Sequence, residues 1–172
     1  MDSLYIKDCL LVNPGTENFV KTGILIENGI VSRTGEPEGY NGPQLDAGLR
    51  TVIPGLIDVH VQGAGGGDSL DGSYEAMEAL SRTLVRYGIT SYLATTVYLP
   101  EEDNRHLDVI REFMATEHEG ALCLGVHLEG PFVSLEKKGM IQLNSICEPD
   151  MHIYNKLKEK CGSILKMMTV AP

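Results

Sequence analysis

The stretch ALCLGVHLEGPFVSLEKKG, residues 121–139, decides the fold, because a buried strand and a candidate site residue follow one another in it. Its first eight residues are almost all apolar, which is typical of a strand covered on both faces in a parallel sheet. Glu129 comes next, and Gly130-Pro131 are predicted to end the strand, since proline has no N–H for the ladder and restricts the residue before it. Ligands bind at this end of parallel strands in α/β sheets and barrels. Glu129 is therefore the first candidate site residue.

Around this strand, apolar runs alternate with helical patterns from Thr51 onward. The predicted strands begin near Val52, Thr90, Ala121 and Ile164, and the predicted helices occupy residues 73–88, 101–117 and 150–160. Such alternation indicates βα units and a parallel sheet. Units of ~30–45 residues fit a barrel in which eight units take about 250 residues. Residues 51–172 are thus predicted to be the first four βα units of a (β/α)8 TIM barrel, an α/β fold.

Caps and apolar stripes support the first two helices. Ser73 is predicted to cap the first helix, and Gly88 follows its last turn. The positions expected to face the core are Met77, Leu80, Leu84 and Val85 in the first helix and Leu107, Val109, Ile110 and Met114 in the second.

Residues 1–50 have a β pattern instead. The run LYIKDCLLV, residues 4–12, predicts a strand, and Asn13-Pro14-Gly15 predicts a turn after it. Asn28-Gly29 lies between two β-rich runs and predicts a hairpin, because both residues tolerate positive φ. Residues 35–50 are rich in Gly, Pro and polar residues and predict a loop. We expect a small antiparallel β unit at the start of the chain.

Charge and composition exclude several classes of partner. The 172 residues include 14 Lys and Arg against 24 Asp and Glu, a net charge of −10, which argues against a nucleic-acid partner. No apolar run approaches the ~20 residues that span a bilayer, and the acidic residues of MDSLYIKDCLLVNPG are unlike a signal peptide, so we expect a cytoplasmic protein without a membrane partner. The four cysteines form no C-x-x-C pair, which predicts free, mostly buried thiols rather than a zinc ribbon or a disulfide framework.

Further polar residues lie near the predicted strand ends. Asp58, His60 and Gln62 alternate along the first strand and therefore share one face. They could ligate a cation, or Asp58 and His60 could hydrogen-bond the neighbouring loops, and the sequence leaves both interpretations open. His127 shares a face with Glu129 for the same geometric reason.

The loops after these strands offer three more features. A glycine-rich loop follows the first strand, and its backbone N–H groups could approach an anion, although it lacks the spacing of a P-loop or of a dinucleotide fingerprint. Its glycines are Gly63, Gly65, Gly66 and Gly67. Thr95-Thr96 close the second strand, either as hydroxyl donors or as packing residues. Lys137 and Lys138 could attract an anionic substrate or simply be solvated.

Taken in order, VIPGLIDVHVQG with its glycine loop, TSYLATTV, GVHLEGPFVSLEKKG and the closing TVAP resemble the N-acetylglucosamine-6-phosphate deacetylases, a family within the amidohydrolase superfamily. The first motif is common to much of the superfamily, whereas HLEGP followed by KKG is more specific to the deacetylases. The resemblance implies a metal-dependent (β/α)8 barrel with a small β-sandwich built from both chain ends. It also implies removal of the acetyl group from an amino-sugar phosphate in amino-sugar catabolism.

The resemblance assigns roles to individual residues. The Glu of HLEGP is a metal ligand in that family, which implies that Glu129 binds a divalent metal ion: zinc, iron or manganese. Some members bind a second metal through H-x-H on the first strand, which makes His60 a further candidate ligand, although Gln62 stands in place of the second histidine. In the family the metal polarises the acetyl carbonyl, and an aspartate assists the attack of water. That aspartate is expected beyond Pro172.

Substrate contacts are expected at two places. Gly63 and Gly65 belong to the glycine loop, and Met140 and Ile141 follow KKG, where the family usually has a small residue and a substrate-contacting histidine. The expected partners are the amino-sugar phosphate and either a second copy of the chain or the C-terminal half of the barrel.

Two alternatives remain at this point. One is a non-catalytic amidohydrolase fragment that binds or assembles without turnover. The other is a cyclic-amide hydrolase, since hydantoinase-like enzymes use a carboxylated lysine late on the fourth strand. Lys166 lies early in that strand, which weighs against the second alternative.

Overall fold

A computed structural model describes residues 3–12 and 18–171 and divides the chain into two compact units, residues 1–54 and 55–172. The predicted turn Asn13-Pro14-Gly15 lies outside the described residues. The strands of the first unit are β1 Ser3–Val12, β2 Phe19–Glu27, β3 Ile30–Thr34, β4 Gln44–Asp46 and β5 Thr51–Val52. The second unit contains β6 Leu56–Val61, β7 Gly63–Ala64, β8 Gly67–Asp68, α1 Tyr74–Val85, β9 Ile89–Thr96, α2 Arg105–Met114, β10 Leu122–Val133, α3 Met151–Cys161 and β11 Leu165–Ala171, with short 3-10 helices at Leu143–Ser145 and Gly162–Ile164.

The first unit is one sheet in the order β3-β2-β1-β4, with β5 also paired to β1. The hairpin predicted at Asn28-Gly29 is confirmed, since these residues have φ of 51° and 77° and connect β2 to β3. The expectation of a purely antiparallel unit is wrong, because β4 and β5 pair with β1 in parallel. The strand β4 also lies inside the predicted loop of residues 35–50. The strand β4 forms because it pairs with β1, which is distant in sequence. The local composition of residues 35–50 does not reveal this pairing.

The first strand of the barrel begins later than predicted. Val52 belongs to β5 and pairs with Leu11 in the first unit, so the prediction that the barrel strand begins near Val52 is wrong. Pro54, which has no N–H to donate, separates β5 from β6. Gly55 follows it where a Cβ would meet the Thr90 hydroxyl at 2.1 Å, so only glycine fits. The assignment of residues 1–50 to part of a β-sandwich stays a prediction.

The second unit is built on a four-stranded parallel sheet in the order β11-β10-β9-β6. The helices between these strands pack on the sheet and bury one continuous apolar core. Its largest buried side chains include Met77, Leu80, Tyr92, Leu107, Ile110, Phe113, Val126, Leu128 and Leu157. The alternation of strands and helices predicted from the sequence is therefore confirmed.

The three predicted helices are present, but α2 is shorter than the predicted residues 101–117, and Val109 is not among its buried residues. The Ser73 hydroxyl accepts a hydrogen bond from the Ala76 N–H across 3.2 Å and caps α1, as predicted. Gly88 follows the helix with φ of 81°. Val85 is 42% exposed, so its placement on the inner stripe is wrong. The buried residues near the end of α1 are Leu80, Ser81 and Leu84, which share one face of the helix. Val85 lies outside this face.

The strand β10 differs from its prediction in two ways. It continues through Gly130-Pro131 to Val133, so these residues do not end it. Pairing with β11 is interrupted between Glu129 and Val133, which accommodates the missing N–H of the proline. The expectation that both faces are covered is also wrong, since Leu122 and Leu124 are exposed. One face of the sheet is therefore partly open in the described chain.

Candidate functional site

Three polar side chains meet at the C-terminal end of β6 and in the C-terminal half of β10. Glu129 comes from β10, His60 from the end of β6, and Gln62 from the residue after β6. The Gln62 side-chain N–H donates to Oε2 of Glu129 across 3.1 Å, and Nε2 of His60 lies 3.9 Å from Oε1. The two-residue spacing that predicted a common face for His60 and Gln62 therefore brings both to the carboxylate.

Asp58 does not join this group. Its Oδ1 accepts a hydrogen bond from the backbone N–H of His60 across 2.9 Å. That contact lies within β6 itself, two residues along the strand, and fixes the backbone just before the site.

His127 is next to His60 in this group and is almost completely buried. Its Nδ1 is 3.0 Å from the Val59 carbonyl oxygen, and its Nε2 is 2.8 Å from the Thr169 hydroxyl. Burial lowers the pKa of His127, opposed by the hydrogen bond to Val59, while the neighbouring His60 ring acts in the same direction as burial. The His127 and His60 rings meet edge to face, with centroids 5.0 Å apart.

A cleft of about 1160 Å³ opens beside the carboxylate within the second unit. His60, Gln62, Glu129 and Thr169 are among the residues that line it. The loop after β10 also lines the cleft and supplies Lys137, Lys138, Met140 and Ile141. The cleft thus brings the predicted substrate-contacting pair, Met140 and Ile141, to the same space as the predicted metal ligand.

Contacts within the loop after β10 hold its shape. The Lys138 ammonium donates to the Ile141 carbonyl across 2.9 Å, which closes the loop on itself. Lys137 is exposed, and Met140 is 93% exposed at the rim. The loop therefore presents one cation and one large apolar side chain to the cleft without burying either.

The glycine loop forms a two-stranded hairpin, β7 and β8, rather than the pliant loop that the sequence predicts. A Cβ on Gly63 would meet the Gly67 carbonyl at 2.6 Å, and one on Gly65 would meet the Thr83 hydroxyl at 2.1 Å. Close packing within the hairpin and against α1 therefore requires these glycines. Gly63 borders a second hollow with His60 and Gln62, whereas Gly65 lies against α1 and is not brought to the cleft.

Two residues of this region are not among the candidate site residues predicted from the sequence, although one of them, Thr169, belongs to the closing motif TVAP. Thr169 is the register partner of Glu129 on β11 and lines the cleft. His106, in the first turn of α2, also lines the cleft, and its Nε2 is 2.9 Å from the Val97 carbonyl oxygen. Burial lowers the pKa of His106, against the opposing effect of the bond to Val97. The sequence pattern around Thr169 indicates a strand and that around His106 a helix, and neither pattern assigns the side chain to a site.

The donor atoms fit part of a metal centre. Glu129 offers a carboxylate and His60 an imidazole, two ligand types that zinc, iron and manganese all accept. Within residues 3–12 and 18–171 there is no group of three or more His, Cys, Asp or Glu side chains that could hold a metal ion. The described residues therefore supply fewer protein ligands than the roughly three of a catalytic zinc site.

The cysteines confirm the expectation of free, mostly buried thiols. All four cysteines are free, and Cys9, Cys123 and Cys161 are buried. Burial raises the pKa of the Cys161 thiol to about 11, which keeps it protonated and unreactive. Each helix in the described part of the chain is too short or too polar to cross a bilayer.

Known proteins share both the sequence and this fold. The N-acetylglucosamine-6-phosphate deacetylase of Bacillus subtilis is 35% identical over 99% of this chain and 45% of its own length. The crystal structure of the Pasteurella multocida deacetylase of the same name superposes with a TM-score of 0.81 at 22% identity, over 98% of this chain and 44% of that one. That of Mycobacterium smegmatis gives 0.76 at 27% identity, over 100% and 47%.

These relatives confirm the predicted fold class and the resemblance to the deacetylases. The parallel sheet of the second unit corresponds to the first half of a TIM barrel. The chain spans about half the length of the curated relatives that it matches. The family model described as "Amidohydrolase family" matches residues 51–171. The chain belongs to the amidohydrolase family.

Proposed function

We propose that the protein containing this chain is a metal-dependent hydrolase that removes the acetyl group from N-acetylglucosamine 6-phosphate. The position of Glu129 carries the proposal: its carboxylate stands at the mouth of the parallel sheet, faces His60 and Gln62, and borders the cleft. The names of the relatives supply the substrate, since they are N-acetylglucosamine-6-phosphate deacetylases. The proposed setting is amino-sugar catabolism in the cytoplasm.

In this proposal Glu129 is a metal ligand and His60 is the second candidate ligand of the chain. A divalent metal ion bound there would polarise the acetyl carbonyl as a Lewis acid. The remaining ligands and the aspartate that assists the attack of water belong to sequence beyond Pro172, in keeping with relatives of about twice this length. The ion is zinc, iron or manganese, because a carboxylate and an imidazole suit all three.

The cleft supplies the proposed substrate contacts. Lys137 on the exposed loop attracts the dianionic phosphate by its charge, which matters in a protein of net charge −10. Met140 and Ile141 give the cleft an apolar wall that can contact the sugar ring or the acetyl methyl group. Gly63 keeps the hairpin β7-β8 close to His60 and Gln62 at the adjoining hollow, while Gly65 acts only through packing on α1.

The cyclic-amide alternative loses support from the position of Lys166. This residue lies next to Leu165, which pairs with Val126, whereas Thr169 pairs with Glu129 at the mouth. Three residues of strand separate Lys166 from the mouth, about 10 Å at 3.3 Å per residue. The aliphatic part of its side chain also packs along Gly125, where a Cβ would meet Cγ of Lys166 at 2.5 Å. A lysine so placed does not reach Glu129 to bridge metals.

A specific observation favours the non-catalytic alternative for the chain by itself. The described residues hold no group of three or more candidate ligands, so a metal bound by Glu129 and His60 alone would be weakly held. The deacetylase proposal therefore requires further metal ligands from a longer protein, whereas the non-catalytic alternative does not.

The substitution Glu129→Gln in the natural full-length protein tests the proposal. Acetate release from N-acetylglucosamine 6-phosphate and the bound metal are measured together. We expect both to fall, the rate by more than about 100-fold, because even residues that only support a metal ligand cost 10–100-fold. Glu136→Gln is the matched control, since Glu136 is an exposed carboxylate on the following loop. Full metal content and full rate in Glu129→Gln would refute the proposal.

A further inference from the structure

The His127 side chain connects strands that are not neighbours. It projects from β10, and its ring contacts the Val59 carbonyl on β6 and the Thr169 hydroxyl on β11. The strand β9 lies between β10 and β6 in the sheet. Strands are about 4.8 Å apart, so a side chain reaches a strand two places away only where the sheet curls strongly. The ring is 3% exposed and therefore sits inside that curl.

Both ring nitrogens of His127 are held. A backbone carbonyl can only accept a hydrogen bond, so Nδ1–H donates to Val59 across 3.0 Å. In the neutral ring Nε2 then accepts from the Thr169 hydroxyl across 2.8 Å. Pairing of β6 with β9 is interrupted between Asp58 and Val61, the segment that contains Val59. With both ends of the ring bonded, rotation about its side-chain bonds is restricted.

The held ring packs against His60. The two ring planes meet at 79° with centroids 5.0 Å apart, an edge-to-face contact. The His60 side chain is 49% exposed, so the contact with His127 restricts its otherwise open rotamers. His127 and Glu129 are two residues apart on β10 and therefore lie on the same face of that strand. The His127 ring contacts His60 from this face, and the Glu129 carboxylate faces His60 from it.

We propose that His127 is a positioning residue that holds the His60 ring at the angle from which its Nε2 faces Glu129. The inference rests on the proposed function, because it assigns His60 and Glu129 to a divalent metal ion. His127 itself binds neither metal nor substrate in this assignment. Thr169 shares the role, since its hydroxyl fixes the second ring nitrogen.

The test uses Thr169 to release the ring without removing it. Thr169→Val replaces the hydroxyl by a methyl group of similar shape, and Thr169→Ser keeps the hydroxyl as the matched control. Zinc affinity of the metal-free, natural full-length protein is measured by competition with a chromogenic chelator. We expect Thr169→Val to weaken zinc binding about tenfold, as is usual for groups that orient a ligand, and Thr169→Ser to stay within about twofold of the unsubstituted protein.

Two further measurements separate positioning from general stability. In the metal-free protein, the ring-proton NMR shifts of His60 should move toward those of a solvated histidine in Thr169→Val and stay in place in Thr169→Ser. In a His60→Ala background, Thr169→Val should no longer weaken zinc binding. An equal loss of affinity with and without His60, or unchanged His60 shifts in Thr169→Val, would overturn the inference.

The variant His127→Asn offers a second route, because its amide can still donate to Val59 while the ring is gone. It should weaken zinc binding at least as much as Thr169→Val. Unchanged zinc affinity in Glu129→Gln would instead refute the proposed function and the metal assignment, whereas the His60 shifts report on the His127 contact independently of any metal.

Discussion

Gln62 donates a hydrogen bond from its side-chain amide to Oε2 of Glu129 across 3.1 Å, which joins the end of β6 to β10. The bond leaves Oε1 of the same carboxylate facing His60. One oxygen of Glu129 is therefore occupied by an N–H, and the other is directed at the imidazole. The amide in place of a second histidine thus has a definite role in the geometry of the carboxylate.

The substitution Gln62→His should create a second metal position in the full-length protein. It places an imidazole beside His60 on the same face and removes the N–H that occupies Oε2 of Glu129. With metal in excess, we expect one additional equivalent of bound metal by elemental analysis. Gln62→Leu is the control, since it removes the N–H without adding a ligand and should show no gain. An unchanged metal content in Gln62→His would contradict this interpretation.

The 172-residue chain by itself should show no appreciable deacetylase activity. Its described residues place only Glu129 and His60 as ligands at the mouth, whereas a catalytic metal usually needs about three protein ligands and a water. The measurement is acetate release from N-acetylglucosamine 6-phosphate with added zinc or manganese. Turnover that copurifies with the chain and disappears in Glu129→Gln would show that the chain is complete for catalysis.

An ion-pair cluster between α2 and α3 should make stability depend on pH. The Asp108 carboxylate accepts hydrogen bonds from Lys160 at 2.6 Å and from Arg111 at 2.8 Å. The bond from Lys160 lowers the pKa of Asp108 below its ordinary 3.8, supported by Arg111 and opposed by burial. On acidification the unfolded chain takes up this proton first. The stabilisation is therefore complete above about pH 4 and is lost as pH falls through the lowered pKa.

Denaturant unfolding between pH 7 and pH 3 checks this expectation. Asp108→Asn should flatten the acidic decrease in the free energy of unfolding, by less than about 1 kcal/mol because the cluster is partly solvated and screened. Glu112→Gln, at an exposed position of the same helix, should keep the pH dependence of the unsubstituted chain. If the free energy of unfolding decreases equally on acidification in Asp108→Asn and in the unsubstituted chain, other groups cause the acid sensitivity.

Patterns with a local cause could be predicted from the sequence. The Asn28-Gly29 hairpin, the Ser73 cap and the βα alternation depend on neighbouring residues along the chain, and the structure contains all three. Features that depend on distant pairing could not. Val52 is apolar and precedes a barrel strand, yet it pairs with Leu11 in the first unit. Pro131 interrupts a ladder, yet flanking pairs keep β10 continuous.

The same distinction holds at the candidate site. The alternation of His60 and Gln62 predicts their common face, because strand geometry alone sets a period of two. The position of Thr169 beside Glu129 depends on the register of β11 against β10, which no residue in TVAP specifies. His127 offered a histidine on the right face, but its bond to Val59 depends on the curl of the whole sheet. The contacts that Thr169 and His127 make at the site are therefore recognised only in the folded sheet.

The last prediction concerns the edges of the parallel sheet. The strands β6 and β11 are the outer members of the order β11-β10-β9-β6, so each has one partner within that sheet. Exposed apolar side chains accompany these edges and the open face: Leu56, Ile57, Val59, Leu122, Leu124 and Val170. Unpaired strand edges beside apolar side chains favour pairing with another chain. Covering such surface contributes about 25 cal/mol per Å².

We therefore expect the isolated 172-residue chain to form dimers or larger oligomers, or to stay in solution only with the C-terminal half of the barrel. Light scattering over a dilution series measures the association. Ile57→Lys should weaken self-association, because Ile57 is 62% exposed on β6 and a charge at a strand edge opposes pairing. Leu135→Lys adds the same charge at an exposed loop position and should leave association unchanged. A compact monomer at micromolar concentration, with a cooperative melt and no binding of an apolar dye, would show that these edges are satisfied within one chain.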